Sequence, residues 1–235
     1  TGLGHEDPLV WRRMGTLALG MGNLDQARGC FERALSRQAS DPELFFGYGC
    51  LLDLEGELEA AGQAFNSAIA IRPTYDDAYF RLAKVLRGLG DEAGADAARA
   101  QFDHWNEIDQ ALSDARRHVR MHPEDAQGVR AVGLYLFQLQ RAEECTDWLQ
   151  RAKELLPRDA TILERLGRAQ FGLGRLPAAR ANLQLAVQYA PANMVPLREL
   201  AFVLAESGDA DGALGRMAQA LALAPGDAAL HFQNG

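Results

Sequence analysis

The chain has 235 residues, 48% hydrophobic and 8% aromatic, with 32 Asp and Glu against 24 Lys and Arg for a net charge of −8. That acidic balance argues against bulk nucleic-acid binding, which needs a net basic face to release counterions. No apolar run approaches the roughly 18 residues of a membrane span. Cys30, Cys50 and Cys145 lie far apart with no C-x-x-C spacing, so no disulfide framework is expected and a reducing compartment is favoured. The cytoplasm suits that expectation best, with the bacterial periplasm as the alternative.

In chain order, residues 1–7 read as a lead-in. The chain opens Thr1-Gly2 with no basic-then-apolar leader, and is expected to be a processed polypeptide or a piece of a longer one. Asp7-Pro8 then starts a unit, with Asp as N-cap and Pro at the first helical position. The pair recurs 34 residues later as Asp41-Pro42. At the next step stand Tyr75 and Asp76, where the cap is expected to move by one residue. Gly22, Gly56 and Gly90 fall in the same phase, at the point where a left-handed residue lets the chain reverse. Three units follow from this beat: 8–41, 42–75 and 76–109.

A second block keeps the same period. Asp125, Asp159, Asn193 and Asp227 are its caps, and Pro123, Pro157, Pro191 and Pro225 its closing prolines. Gln140, Gly174 and Gly208 mark its turns, and Gly133, Gly167 and Ala201 its small hairpin contacts. Its units are 126–159, 160–193 and 194–227. Residues 228–235 read as the start of a truncated further unit, whose Leu230 and Phe232 offer an end for self-association. The two blocks are out of phase, and no Gly or Pro interrupts Ala95 to His122. Apolar residues near 3.5 spacing there predict one extended helix over 92–121; a break near Asp103–Asn106 is the competing reading.

Each unit holds two runs of apolar residues at three- and four-residue spacing, the mark of paired amphipathic helices. One such hairpin buries too little surface to stand alone and must stack on copies of itself. The unit Pro42–Tyr75 carries Phe45, Tyr48, Gly49, Leu52, Gly56, Ala61, Phe65, Ala68 and Pro73. The unit before it carries Trp11, Met14, Gly15, Ala18, Ala27, Phe31 and Ala34. These residues resemble the tetratricopeptide repeat, whose pattern runs W-x2-L-G-x2-Y, A-x3-F, A, P. The resemblance extends from about Pro8 to Asp227. It implies an all-α fold: a right-handed superhelical solenoid of antiparallel helix hairpins.

The resemblance also implies that the first helix of each hairpin lines a concave, peptide-holding surface. Helical spacing puts the second, fifth, sixth, ninth, twelfth and thirteenth residues of each unit on that side. The first block then presents Arg12, Arg13, Phe46, Phe80, Arg81, Lys84 and Arg87. The second presents Arg130, Leu134, Phe137, Arg165, Arg168, Phe171, Arg198 and Phe202. Nine basic residues there meet six acidic ones, Glu43, Asp53, Asp77, Glu164, Glu199 and Glu206. A partner protein or peptide with carboxylates and large apolar anchors is expected, since Arg and aromatic side chains most often dominate binding energy. The competing reading is mutual satisfaction, through pairs such as Arg165 with Glu199. The family's carboxylate clamp for chaperone tails corresponds to Arg12, Thr16, Gly47, Asp77 and Arg81, of which only the two Arg match.

Catalytic signatures are absent: no H-E-x-x-H, G-x-x-x-x-G-K-[ST] or G-x-S-x-G occurs. No enzyme activity and no cofactor is expected. His118 and His122 with Asp114 could be read as a metal face, but a helix C-terminus that favours cations explains the histidines, and no metal is expected. The leading function is a non-catalytic adaptor or scaffold. The alternative is a docking or regulatory arm of a larger enzyme, such as a glycosyl- or sulfotransferase, whose catalytic domain lies outside this chain. An RNA reader is opposed by the net charge.

Overall fold

The computed structural model describes residues 7–37 and 40–223. Over those residues the fold is all-α: twelve helices and no strand. The first helices of the hairpins are α1 (Pro8–Gly20), α3 (Pro42–Glu55), α5 (Asp76–Gly88), α7 (Ala126–Gln138), α9 (Ala160–Gly172) and α11 (Met194–Glu206). The second helices are α2 (Leu24–Leu35), α4 (Leu58–Ile71), α8 (Ala142–Leu155), α10 (Leu176–Tyr189) and α12 (Ala210–Leu223). The long α6 runs unbroken over Glu92–Met121. No described helix is long and apolar enough to cross a membrane. The closing Pro225 and Asp227, the further unit at 228–235, and its Leu230 and Phe232 lie outside the described residues.

The helix starts have a local cause. Asp7, Asp41, Asp125, Asp159 and Asn193 each accept a hydrogen bond from an orphan amide of the first turn. At α5 the cap does not move, contrary to the spacing-based expectation. Tyr75 occupies the N-cap position, without a side-chain cap bond, and its ring packs 5.0 Å from that of Phe46. The hairpin turns sit at Gly22, Gly56, Gly90, Gly174 and Gly208, all at positive φ. Gln140 takes the same place at φ 57, the one non-glycine residue with positive φ among those described.

The described residues form two compact units, divided between Glu107 and Ile108 inside α6. In the first unit, Phe31 and Phe65 are fully buried between the paired helices. A Cβ added at Gly15 would sit 2.7 Å from the Phe31 ring, and one at Gly49 2.8 Å from the Phe65 ring. In the second unit, Leu149 and Leu183 fill that place, opposite Gly133 and Gly167. Large side chain on the second helix, none on the first: that complementarity sets how closely each pair approaches.

Neighbouring hairpins are joined by a recurring polar contact. In three units the fifth residue reaches the cap that opens the next one. Arg12 Nε lies 3.0 Å from Asp41 Oδ2, an ion-pair contact rather than an aligned hydrogen bond. Arg130 Nε donates to Asp159 Oδ2 at 2.8 Å. Phe46 on Tyr75 is the apolar version of the same pair. A single cap residue thus ends one helix's orphan amides and ties down the preceding hairpin.

Candidate functional site

The first-helix positions named from spacing fall into three groups. Arg12, Arg130 and Phe46 belong to the joints between hairpins just described. Phe46 also packs 5.8 Å from Phe65. Leu134, Phe171 and Phe202 are half-buried and packed against core clusters. Phe171 and Phe202 therefore contribute packing more than open surface.

In the first unit the remaining charges are largely matched. Lys84 lies 2.9 Å and Arg81 4.0 Å from Asp53, whose side chain is only 7% exposed. Arg87 meets Glu92 at 3.4 Å and Asp96 at 3.6 Å. Glu43 is held by Arg72. Phe80 is exposed, with Phe102 at 5.4 Å and the Arg99 guanidinium at 5.8 Å from its ring. Arg13 is exposed and makes no ion pair among the described residues.

In the second unit three arginines share two carboxylates. Glu164, at the fifth position of α9, is 5% exposed. Its Oε1 accepts from Arg165 Nη1 at 3.2 Å and Arg168 Nη1 at 3.3 Å. Glu199 on α11 takes Arg198 at 3.1 Å and Arg168 at 3.7 Å. The Arg165–Glu199 pair named for the competing reading does not form; Arg168 spans both acids instead. Three guanidiniums face two carboxylates, an excess of one positive charge on a half-buried cluster. Burial pushes the Glu164 carboxyl above its ordinary range, and Arg165 and Arg168 pull it partway back.

Phe137 on α7 supplies the apolar element. The Arg165 and Arg168 guanidiniums lie 4.9 Å and 5.2 Å from its ring, a geometry in which the ring quadrupole attracts the cations. A cleft of about 490 Å³ opens beside them, lined by Leu134, Phe137, Thr161, Arg165, Arg168 and their neighbours. An aromatic floor with two guanidiniums at its rim suits an apolar side chain next to a carboxylate. Cys145 also borders the cleft. It is buried, its thiol is pushed up to about 12 by desolvation, and its Sγ faces Gly133 O at 3.6 Å. That thiol is a packing group and a poor nucleophile.

The histidines read as a metal face pair otherwise. His118 Nε2 lies 2.8 Å from Asp125 Oδ2, and Asp114 meets Arg117 at 2.6 Å. The His118 hydrogen bond holds the Asp125 carboxyl below the ordinary carboxylate range. No cluster of three metal-binding side chains occurs among the described residues.

A family model described as tetratricopeptide repeat matches residues 12–76. The chain is 32% identical over 74 residues to the probable biofilm formation methyltransferase WspC of Pseudomonas putida, covering 32% of this chain and 18% of that protein. It is 24% identical over 116 residues to human tetratricopeptide repeat protein 8, covering 48% of this chain and 21% of that protein. The chain therefore spans about a fifth of the length of these curated relatives. Among solved structures, YrrB, described as a TPR protein with an unusual peptide-binding site, aligns with a TM-score of 0.44 at 18% identity, covering 87% of this chain and 96% of that one. PilF of Pseudomonas aeruginosa aligns with a TM-score of 0.44 at 16% identity, covering 97% and 96%.

Proposed function

The chain belongs to the tetratricopeptide-repeat family, and from that premise we propose that it is a non-catalytic protein-interaction scaffold whose second unit grips an acidic peptide segment. The observation that carries the reading is the surplus guanidinium among Arg165, Arg168 and Arg198, set beside the Phe137 cleft. The guest supplies one carboxylate to the arginines and a large apolar side chain to the ring. Charge-assisted bonds of this kind are roughly twice as strong as neutral ones, so the carboxylate decides affinity. The first unit's matched charges give it a supporting part.

Titration with a labelled peptide carrying Phe between two Glu, against its Gln counterpart, tests this. The Glu peptide is expected to bind at least about tenfold tighter, or about 1.4 kcal/mol. Equal affinities would remove the carboxylate from the account.

A second reading draws support from the methyltransferase-named relative: the chain as the docking arm of a larger enzyme. The two readings differ in what adjoins these repeats in the gene. A catalytic domain there favours the arm; more repeats favour the scaffold.

A further inference from the structure

Residues 108–121, the part of α6 within the second unit, act as a second helix that has no first helix of its own in that unit. Aligning Pro123 with Pro157, Pro191 and Pro225 gives Ala111, Ala115 and His118 the places held by Cys145, Leu149 and Ala152 in α8. The same places in α10 hold Ala179, Leu183 and Ala186. Those six residues are all 0% exposed, each buried under its own first helix. On α6, Ala111 and Ala115 are only half-buried, and the His118 side chain is 51% exposed. The opposite line of α6 is used normally, with Leu112 and Val119 buried against α7. A cleft of about 420 Å³ runs along the open line, with Ala111, Ala115, His118, Gly128, Ala131 and Tyr135 among its lining residues.

The occupant's chemistry follows from two contacts made by the hairpins that α7 and α9 open. In α7 and α9 the eighth residue is Gly, because α8 and α10 project Leu149 and Leu183 at it. Here the projecting residue is Ala115, so the size relation inverts and the missing helix must bring the large side chain. In addition, a basic residue at the fifth position of a first helix pairs with the acidic cap that opens the next unit, as Arg130 does with Asp159 and Arg12 with Asp41. The corresponding cap here is Asp125, whose Oδ2 now contacts only the rim residue His118 and the first-turn amide of Gly128. We propose that this slot receives an amphipathic helix of a partner protein, with Arg or Lys at its fifth position and a large apolar residue at its eighth. The guest helix continues the hairpin series of the second unit and is separate from the Phe137 cleft.

The probe is a synthetic, side-chain-stapled helix with the α7 sequence Ala126–Gln138, which already carries the arginine, in two forms: unchanged and Gly133→Leu. Stapling matters because an isolated helix this short is marginal in water. The Leu form is expected to bind the full chain at least about tenfold tighter than the Gly form. In the protein, Ala115→Leu is expected to abolish that gain by filling the hole. Asp125→Asn keeps the cap and removes the charge, and is expected to weaken binding several-fold. It also serves as the test if Ala115→Leu lowers the melting temperature. Arg168→Gln, which leaves Arg165 on Glu164, should leave this probe's affinity unchanged while weakening the acidic peptide, which separates the slot from the acidic-peptide face. Equal binding of the two forms, or binding untouched by both Ala115→Leu and Asp125→Asn, overturns the proposal. So does a stable dimer that excludes the probe, since a second copy would then hold the slot.

Discussion

Gly133→Val is expected to be among the most damaging single substitutions in the chain. A Cβ at this position would lie 2.5 Å from Leu149 Cδ2, 2.8 Å from Leu149 Cγ and 3.3 Å from the Leu149 backbone nitrogen. The side-chain atoms belong to a residue that is 0% exposed, so they have no room to swing aside. The backbone contact can be relieved only by moving α8 away from α7. Overpacking of this sort costs about 1–3 kcal/mol, occasionally more. A β-branched side chain also gives back little of the helix propensity that Gly lacks. We expect the loss at or above the upper end of that range, read as a lower melting temperature. The control is Gly29→Ala in α2, where an added Cβ meets nothing within 4 Å. That change is expected to stabilise by up to about 1 kcal/mol. If the two glycines respond alike, close packing at the hairpin contact is not what holds the repeats together.

The second large effect concerns binding. Arg165→Glu combined with Arg168→Glu turns the surplus of one positive charge into a strong negative excess beside Phe137. The acidic peptide is then expected to lose at least about a hundredfold in affinity, within the range of about 2–5 kcal/mol for removing one side of a buried charge pair. The double reversal also strips Glu164 of its partners. An uncompensated buried charge is itself destabilising, so Arg168→Gln is the companion that leaves Arg165 on Glu164. It is expected to weaken the peptide about tenfold with the fold intact.

Glu164→Gln should act in the opposite direction, because Glu164 competes with the guest carboxylate for the same two guanidiniums. Affinity is expected to rise several-fold. The pH dependence has the same origin. Burial raises the folded-state pKa of Glu164, so its ionised form subtracts stability at neutral pH. That cost disappears as the pH falls through the raised value. Lowering the pH through that raised value therefore frees Arg165 and Arg168, and binding tightens until the guest's own carboxylate protonates. In Glu164→Gln this rise is expected to vanish.

Much of the fold was legible because the sequence repeats its local chemistry. Asp at the cap, a left-handed turn residue and Gly facing Phe31, Phe65, Leu149 or Leu183 are short-range requirements, and each leaves a visible residue. Even Gln140 could be placed at a turn, since only its phase was needed. Tyr75 shows where that approach fails. The cap rule looked for a polar side chain, but stacking on Phe46 from the preceding hairpin decided the position.

The candidate face was less legible for a related reason. Helical spacing assigns side chains to a side but does not reveal what the next hairpin offers them. Arg12 and Arg130 sat on the expected side yet are engaged by Asp41 and Asp159. The signal was present, because both pairs are separated by 29 residues, as are Phe46 and Tyr75. Phe171 and Phe202 were equally well placed by spacing, but lie half-buried against the core clusters. For Arg165 and Arg168 the partner assignment depended on side-chain reach. Arg168 bridges Glu164 and Glu199, and Arg165 stays on Glu164 and Phe137. The open line on α6 follows from a missing element, which residue spacing within the helix does not display.

Hydrogen exchange on the full chain, with and without the Phe-Glu peptide, tests the central claim most directly, because it reports where a guest slows amide opening. Added protection is expected in α7 and α9, around Phe137, Arg165 and Arg168, with α8 and α10 much less affected. Protection confined to second helices or to the first unit, or none at saturating peptide, would contradict the account.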